Sequence, residues 1–366
     1  MNLIDLQFKY EGEFIYMISK ALNKDNVKTG YLYFYIHFIV EVVCFYYLSK
    51  VTNGMFIVWL IPLIYDAFAF VPQGVVGYIN DKFPKLRIDL IGIFLLLLSY
   101  IILIFTNLNV FYSLFILCMG NCCLHISGAE ATLRTSNGKL SSPAIFVAGG
   151  SFGVVTGRLF FRYGVNQLLM IPLILSMIPF ALLAKEYEND VKDKEIKHDF
   201  VKENISPLLI MFIALFVVTI RGYVGYGIPT SWNKSVVQNV MLFSFMGIGK
   251  ALGGILSDTI GIRKVGVLST LIAIPFLSFG DNLMVVSLIG VMFFSMTMAI
   301  TLGMLASIFR KNPGLAFGFT TIGLFLGTVP IFFVKVTTLT NNIILIVISS
   351  LICSLLLNFS LKKEDK

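Results

Sequence analysis

Long runs of apolar residues alternate with short polar connections along nearly the whole chain. Each run is close to the ~20 residues with which an α-helix crosses the hydrocarbon core of a bilayer. The pattern predicts twelve membrane spans, numbered 1 to 12 here. In chain order they cover residues 30–50, 55–79, 88–106, 109–131, 142–162, 164–184, 206–229, 236–257, 265–280, 284–305, 314–335 and 341–360.

The spans divide into two sets of six around one charged stretch. We therefore predict an all-α integral membrane protein with a six-helix bundle at 30–184, a solvated cytoplasmic linker at 185–205 and a second six-helix bundle at 206–360. A short cytoplasmic tail follows at 361–366.

The first 29 residues are too polar for a signal peptide. They place apolar side chains at helical spacing, which predicts a short cytoplasmic amphipathic segment at 1–29. The apolar positions are Phe14, Ile15, Ile18 and Leu22.

Composition supports a membrane protein. Hydrophobic residues make up 57% of the chain and charged residues 13%, whereas a soluble domain is about a quarter charged. The formal net charge of +8 raises the question of nucleic-acid binding. With the N-terminus in the cytoplasm, however, 21 of the 28 lysines and arginines fall on the inner side, four outside and three within spans. This bias predicts cytoplasmic termini, a lipid environment and no nucleic-acid partner.

The five cysteines all lie in apolar segments, so a disulfide framework is not expected. Cys118, Cys122, Cys123 and His125 are close in sequence and raise the question of a metal site. They lack a zinc-type ligand spacing, and small buried residues in a packed helix explain them better. The sequence therefore predicts no metal and no cofactor.

One motif occurs twice, each time after the second span of a half. Residues 77–87 read Gly-Tyr-Ile-Asn-Asp-Lys-Phe-Pro-Lys-Leu-Arg, and residues 254–264 read Gly-Ile-Leu-Ser-Asp-Thr-Ile-Gly-Ile-Arg-Lys. Both contain Gly-x-x-x-Asp, then a turn residue, then basic residues. The copies begin 177 residues apart, which indicates a duplicated architecture.

These motifs resemble the loop signature of the major facilitator superfamily, which follows the second and eighth helices of those transporters. The second copy matches at Gly254, Asp258, Gly261, Arg263 and Lys264. The first copy departs by carrying Lys82 and Pro84 where the family usually has arginine and glycine. The resemblance implies two pseudo-symmetric bundles, twelve helices in all, and secondary transport by alternating access.

A second pairing supports the duplication. Arg134 ends span 4, 53 residues after Asp81, and Arg310 ends span 10, 52 residues after Asp258. We predict that each arginine pairs with its aspartate at the cytoplasmic rim, and that each aspartate faces the N-terminus of a helix from the other half. The resemblance implies that this rim closes the inner side of the outward-facing state. The predicted gate residues are Gly77, Asp81, Arg87, Arg134, Gly254, Asp258, Arg263 and Arg310.

Ionisable side chains deep in a membrane span are costly and are therefore functional candidates. They are His37, Glu41, Asp66, His125, Arg158, Arg221 and Lys250. In the resembled fold, spans 1, 4, 7 and 10 line the central cavity, which favours His37, Glu41, His125 and Arg221.

His37 and Glu41 are four residues apart and share one helix face. Together they could bind and release a proton as the cavity opens to either side. Asp66 is the alternative proton carrier. The acids could instead neutralise a cation such as Arg221 in a fixed ion pair, or face lipid or water without a role. Sodium coupling and an uncoupled facilitator also stay open.

Several side chains could hold a solute. The guanidinium of Arg221 can bind a carboxylate or phosphate by two parallel hydrogen bonds, although it could also pair with an acid of the protein. Asn121 and His125 share a face of span 4, where bonding between helices is the other interpretation. The substrate-binding candidates are Arg221, His125, Asn121, Lys250, Tyr223, Tyr226 and Arg158.

Phosphate-loop, zinc-protease and nucleophile-elbow motifs are absent from the sequence. We therefore expect no enzyme, and expect energy to come from a solute or ion gradient. The predicted function is proton-coupled transport of a small polar organic solute, with an anion as one option, by a monomer in a bacterial plasma membrane. A multidrug exporter is the alternative, although span 5 lacks the Gly-Pro pair of many exporters. A non-transporting receptor or scaffold is the alternative from another class.

Overall fold

The structure is a computed structural model that describes residues 16–19, 21–22, 24–53, 59–188, 194–227, 230–333 and 339–363. These residues are helical apart from short connections, the non-helical stretch 194–206 and one antiparallel bridge between Val201 and Leu361. Eleven of the described helices are long and apolar enough to cross a membrane. The helix at predicted span 9, Ile262–Ser278, has 17 residues.

The described helices follow the predicted spans in order, and those of every predicted span except span 9 are long and apolar enough to cross a membrane. Their bounds are Lys24–Thr52, Leu60–Phe70 with Gln73–Lys82, Ile88–Phe105, Val110–Thr135, Ser141–Arg162, Gln167–Leu169 with Met170–Leu175 and Met177–Glu188, Pro207–Gly227, Val236–Ile260, Ile262–Ser278, Met284–Ser295 with Thr297–Ile308, Pro313–Phe333 and Leu339–Ser360.

Differences from the prediction concern the ends of spans. Span 1 already begins at Lys24, inside the predicted amphipathic segment. Phe14 and Ile15 of that segment lie outside the described residues. Span 2 is interrupted before Gln73, where Pro72 has no backbone N–H to continue the helix.

The second motif turns at Gly261, whose φ of 99° lies in the region that favours glycine. It ends span 8 and precedes span 9, as the sequence predicts for a turn residue.

The two halves meet at two seams, each centred on one copy of the motif. A Cβ at Gly77 of span 2 would collide with the backbone of Gly314 in span 11. A Cβ at Gly254 of span 8 would collide with the carbonyl of Leu140, just before span 5. Both glycines thus allow backbone-to-backbone approach between the halves, and the duplication is visible in three dimensions.

Residues 194–203, here called the strap, differ from the solvated linker that the charges predict. His198 and Ile196 are buried. His198 Nε2 donates to the carbonyl of Lys139 in the first half at 3.2 Å. The N–H of Phe200 donates to Ser307 Oγ in the second half at 3.0 Å. The strap is therefore attached to the ends of both halves.

Candidate functional site

Glu41 lies at the centre of a buried polar cluster in the first half. Its Oε1 is 3.3 Å from His125 Nε2 and 3.8 Å from His37 Nε2. The two imidazole rings meet edge to face with centroids 4.4 Å apart. Each of the three residues is 7% exposed or less. Span 1 thus presents His37 and Glu41 on one face, as their spacing predicts, and span 4 adds His125.

The hydrogen bonds of the two rings assign their tautomers. His37 Nδ1 is 2.9 Å from the carbonyl oxygen of Phe146, and His125 Nδ1 is 3.0 Å from that of Asn121. A carbonyl oxygen only accepts, so each Nδ1 carries hydrogen. In the neutral rings both Nε2 atoms therefore direct lone pairs towards Glu41. Three acceptor atoms therefore converge on a position that suits a cation, either a proton or a metal ion.

Close packing of span 5 on span 1 holds this cluster in place. A Cβ at Gly150 would collide with His37 Nε2, and one at Gly153 would lie 2.7 Å from Glu41 Cβ. Asn121 Nδ2 is 3.3 Å from Glu41 Oε1 and donates to the hydroxyl of Tyr65 at 2.8 Å. The glycines of span 5 thus leave room for the two larger polar side chains of span 1.

Lys250 of the second half lies within electrostatic range of this cluster, and Arg221 lies within range of Lys250. Arg221 of span 7 is buried, and Lys250 of span 8 is half-buried. The first half therefore contributes an acid with two histidines, and the second half contributes two cations.

Asp66 and Arg158 lie to one side of this centre. Asp66 is half-buried, within electrostatic range of Glu41 and Arg158. The Arg158 guanidinium lies between the rings of Phe45 and Phe243, 5.1 and 5.3 Å from their centroids. These rings belong to different halves, so Arg158 bridges the halves by cation–π contact.

Other predicted site residues lie elsewhere. Tyr223 lines an apolar cavity between spans 7, 11 and 12, because residues two apart on a helix do not share a face with Arg221. The side chain of Tyr226 lies outside the described residues. Cys118 contacts the carbonyl of Tyr65 at 3.8 Å. Of the Cys–His group that the sequence brings close together, His125 is the member within the Glu41 cluster.

The first rim motif has the predicted contacts. Asp81 accepts from the N–H groups of Gly314 and Leu315 at 3.0 and 2.9 Å, at the N-terminus of span 11. Arg134 Nη2 is 3.6 Å from Asp81 Oδ1. Arg134 also pairs with Glu130 at 2.8 Å.

The second rim motif differs from the prediction in its arginine. Asp258 accepts from the N–H groups of Leu140 and Ser141 at 2.9 and 2.8 Å, and from the hydroxyl of Ser141. The predicted Asp258–Arg310 pair is wrong: Arg310 instead pairs with Asp199 of the strap at 2.7 Å. The strap lies over the end of span 10 and presents its carboxylate to Arg310.

Arg87 and Arg263 also have local partners. Arg87 Nη2 pairs with Asp89 at 2.7 Å, and Arg263 Nε donates to Asn358 at 2.8 Å. In the contacts that the structure describes, both arginines bind groups at helix ends beside the rim, and neither binds Asp81 or Asp258.

Sequence reasoning missed Glu130 and Asn80, which hydrogen-bond to each other beside the first rim. Glu130 and Arg134 are four residues apart, a spacing that could have identified the pair. His198 and Asp199 of the strap were missed because nothing in a charged linker predicts its docking.

No protein-family model matches the sequence. No curated protein sequence matches it either. Solved structures do match over most of the chain. The human organic anion transporter MFSD10 (TETRAN) superposes with a TM-score of 0.59 at 11% identity, covering 89% of this chain and 98% of that one. The E. coli fucose:proton symporter FucP superposes with a TM-score of 0.58 at 12% identity, covering 92% of this chain and 99% of that one.

The two glycine-packed seams and the duplicated rim motifs define an all-α membrane protein built from two related bundles. The solved structures identify this architecture: the chain has the fold of the major facilitator superfamily transporters. The fold predicted from the two loop motifs is thereby confirmed.

Proposed function

We propose that this protein is a secondary transporter that carries a small polar organic solute by alternating access. One observation carries the proposal: Glu41 and Lys250, side chains of opposite charge from the two halves, lie within electrostatic range of each other. Both belong to helices long and apolar enough to cross a membrane. Ionisable groups in this region are costly and mark solute or ion pathways in membrane proteins. Rocking of the two halves would expose such a site to each side in turn.

The solute class follows from the second half. Arg221 and Lys250 carry like charges within electrostatic range of each other, and an anion between them would relieve their repulsion. Arginine suits a carboxylate or phosphate group. A small organic anion is therefore the cargo that we propose. The description of MFSD10 as an organic anion transporter agrees with this class by analogy of fold alone.

A coupling cation follows from the first half. Without solute, Glu41 offsets the charge of Lys250. A cation bound beside Glu41 would neutralise the acid and make Lys250 available to an anion, so cation and anion would bind cooperatively. The sequence favours a proton, carried by Glu41, His37 or Asp66. The description of FucP as a fucose:proton symporter is consistent with cation coupling on this fold.

We further propose that the protein acts as a monomer in a bacterial plasma membrane with both termini in the cytoplasm. The distribution of basic residues supports this orientation. It places the strap and both rim motifs on the cytoplasmic side. The seams at Gly77 and Gly254 would then close the inner end of the pathway.

The test is a thermal-shift screen of the purified protein against metabolites and drugs, followed by uptake into vesicles. A ligand of the native state raises the melting temperature by mass action. We expect hits among small organic anions, weakened at least ~10-fold by Arg221→Ala, because a hydrogen bond to a charged group contributes ~1.5–3 kcal/mol. Arg162→Ala, at the outer end of span 5, is the matched control and should bind normally.

Two results would contradict the proposal. Hits confined to hydrophobic cations, unaffected by Arg221→Ala, would indicate a drug exporter. A purified protein that binds ligands but moves none of them across vesicles would indicate a receptor.

A further inference from the structure

We propose that His37, Glu41 and His125 form a binding site for one divalent first-row transition-metal ion. The ligand atoms are the Nε2 atoms of the two histidines and a carboxylate oxygen of Glu41. The sequence alone predicts no metal. His37 and Glu41 are 84 or more residues away from His125, and the fold brings the three together.

The three ligand atoms are already close to coordination geometry. All lie within 4.8 Å of one another, and Glu41 Oε1 is 3.3 and 3.8 Å from the two nitrogens. An ion with bonds of about 2.1 Å to nitrogen and oxygen holds such atoms ~3.0–3.4 Å apart. A contraction of about 1.8 Å or less between any two of these atoms, within reach of side-chain rotation, would therefore bring all three into contact with one ion.

The outer contacts of the histidines favour a metal over a single proton. Metal-binding histidines usually donate the other ring N–H to a carbonyl or carboxylate, which fixes the tautomer and orients the ring. His37 does so through Phe146 and His125 through Asn121. One proton satisfies only one of the two Nε2 lone pairs, whereas a metal ion accepts both lone pairs and the carboxylate.

The donor set selects the class of ion. Two imidazoles and one carboxylate suit Zn²⁺, Fe²⁺, Co²⁺ or Mn²⁺, whereas Ca²⁺ and Mg²⁺ prefer all-oxygen sites. The nearby thiol of Cys44 contacts Asn121 Nδ2 at 3.6 Å and stands outside the donor set. Three protein ligands leave further coordination positions for water or for an oxygen of an anionic solute.

The ion has a defined electrostatic effect in the transport cycle, and this part of the inference rests on the proposed function. Lys250 is within electrostatic range of both Glu41 and His37. A divalent ion in the cluster would neutralise Glu41 and repel Lys250. The Lys250 ammonium group would then be available to bind the anionic solute. The metal ion would thus be the coupling cation, carried together with the anion.

Metal binding can be measured on the full-length protein in detergent, without any transport assay. After chelator treatment, equilibrium dialysis with Zn²⁺ should give one saturable site per chain. Co²⁺ should bind the same site and report nitrogen and oxygen ligands by its visible absorption. Loss of one ligand, in His37→Asn, Glu41→Gln or His125→Asn, should weaken Zn²⁺ binding at least ~100-fold, more than the 10–100-fold typical of outer-contact mutations.

The chain offers a matched control, because it has three histidines and the third lies in the strap. His198→Asn should bind Zn²⁺ and Co²⁺ as the wild type does. Blocking the thiols chemically should also leave the site intact. Gly150→Ala keeps every ligand but adds a methyl group that would collide with His37 Nε2. It should weaken metal binding even if a ligand variant does not fold.

Three outcomes would overturn the proposal: no saturable binding by the wild type, unchanged binding in the His37→Asn/His125→Asn double variant, or equal loss in His198→Asn. Its failure is separable from failure of the proposed function. Metal binding with no solute flux in vesicles would support the site and refute transport. Metal-independent solute flux without metal binding would refute the site and support transport.

Discussion

The first rim motif holds Asp81 against the N-terminus of span 11, and the second holds Asp258 against the N-terminus of span 5. In both, a carboxylate accepts backbone N–H groups from the other half, where a helix N-terminus favours negative charge. In both, a glycine four residues earlier allows backbone contact. The duplication has thus kept the contact that joins the halves.

The arginines of the two motifs have diverged. The Arg134 side chain is 4% exposed and lies between Asp81 and Glu130. The Arg310 side chain is 43% exposed and pairs with Asp199 of the strap. Equivalent positions therefore do different work: one arginine compensates buried acids within its own half, and the other attaches the connecting segment.

The largest expected difference is between Arg134→Gln and Arg310→Gln. The first leaves two buried carboxylates without their cation, which should lower the free energy of unfolding by ~3–5 kcal/mol. The second removes an exposed pair and should cost ~1 kcal/mol or less. Unfolding in detergent measures both. Equal losses would mean that the two arginines are equivalent after all.

Substitution of Asp81 and Asp258 tests whether the two seams contribute independently to the closed rim. Asp81→Asn and Asp258→Asn each weaken charge-assisted bonds to backbone N–H groups, so each should destabilise the closed rim by ~2 kcal/mol. The double variant should show the sum, because the contacts are separate. Labelling of a reporter cysteine at Leu140 or Leu315 measures opening. A double variant no more open than either single one would contradict independence of the two contacts.

As the pH falls, the contact of the strap with the first half, through His198, should weaken before its contact with the second half, through Asp199. Burial lowers the pKa of His198 to about 4, from ~6.5 when unfolded. The contribution of neutral His198 to the free energy of unfolding is therefore complete above pH ~6.5 and is lost as the pH falls towards 4. The loss is about 1.4 kcal/mol at pH 5.5. His37 and His125 are common to wild type and His198→Gln, so the difference between their pH–stability curves isolates this effect. Identical curves would refute it.

Asp199→Asn should have the smallest effect. The hydrogen bond from Lys362 is the main cause that lowers the pKa of Asp199, and Arg310 adds to it. The depressed pKa means that its contribution is present above pH ~3.9 and is lost below that. Asp199 and Arg310 are exposed and Lys362 is half-buried, so we expect at most ~1 kcal/mol at low salt. The effect should disappear in 1 M salt, where screening acts over ~3 Å; persistence there would contradict a surface pair.

Much of the fold could be predicted from periodicity and repetition. Gly77 and Gly254 mark the seams because glycine has no side chain to separate two backbones. Asp81 and Arg134 meet as their matching positions at the ends of spans 2 and 4 predict. Tyr223 and Arg310 were misplaced because sequence proximity and internal symmetry do not specify which neighbouring helix, or which strap residue, a side chain contacts.

The candidate site could likewise be predicted from the sequence only in part. The shared face of His37 and Glu41 follows from their spacing on span 1. The approach of His125 does not, because it depends on how spans 1 and 4 pack. The tautomers depend on the carbonyls of Phe146 and Asn121, which only the folded chain brings into contact.

In the transport cycle that we propose, the strap has a consequence for the two open forms. Because residues 194–203 are bonded to both halves at one end, separation at that end must break contacts that separation at the other end leaves intact. Such an asymmetry cannot set the net direction of flow, which the gradients alone determine. In the proposed cycle, the asymmetry would instead determine which of the two open forms the solute-free protein adopts. It would therefore determine the side of the membrane from which solute binds first.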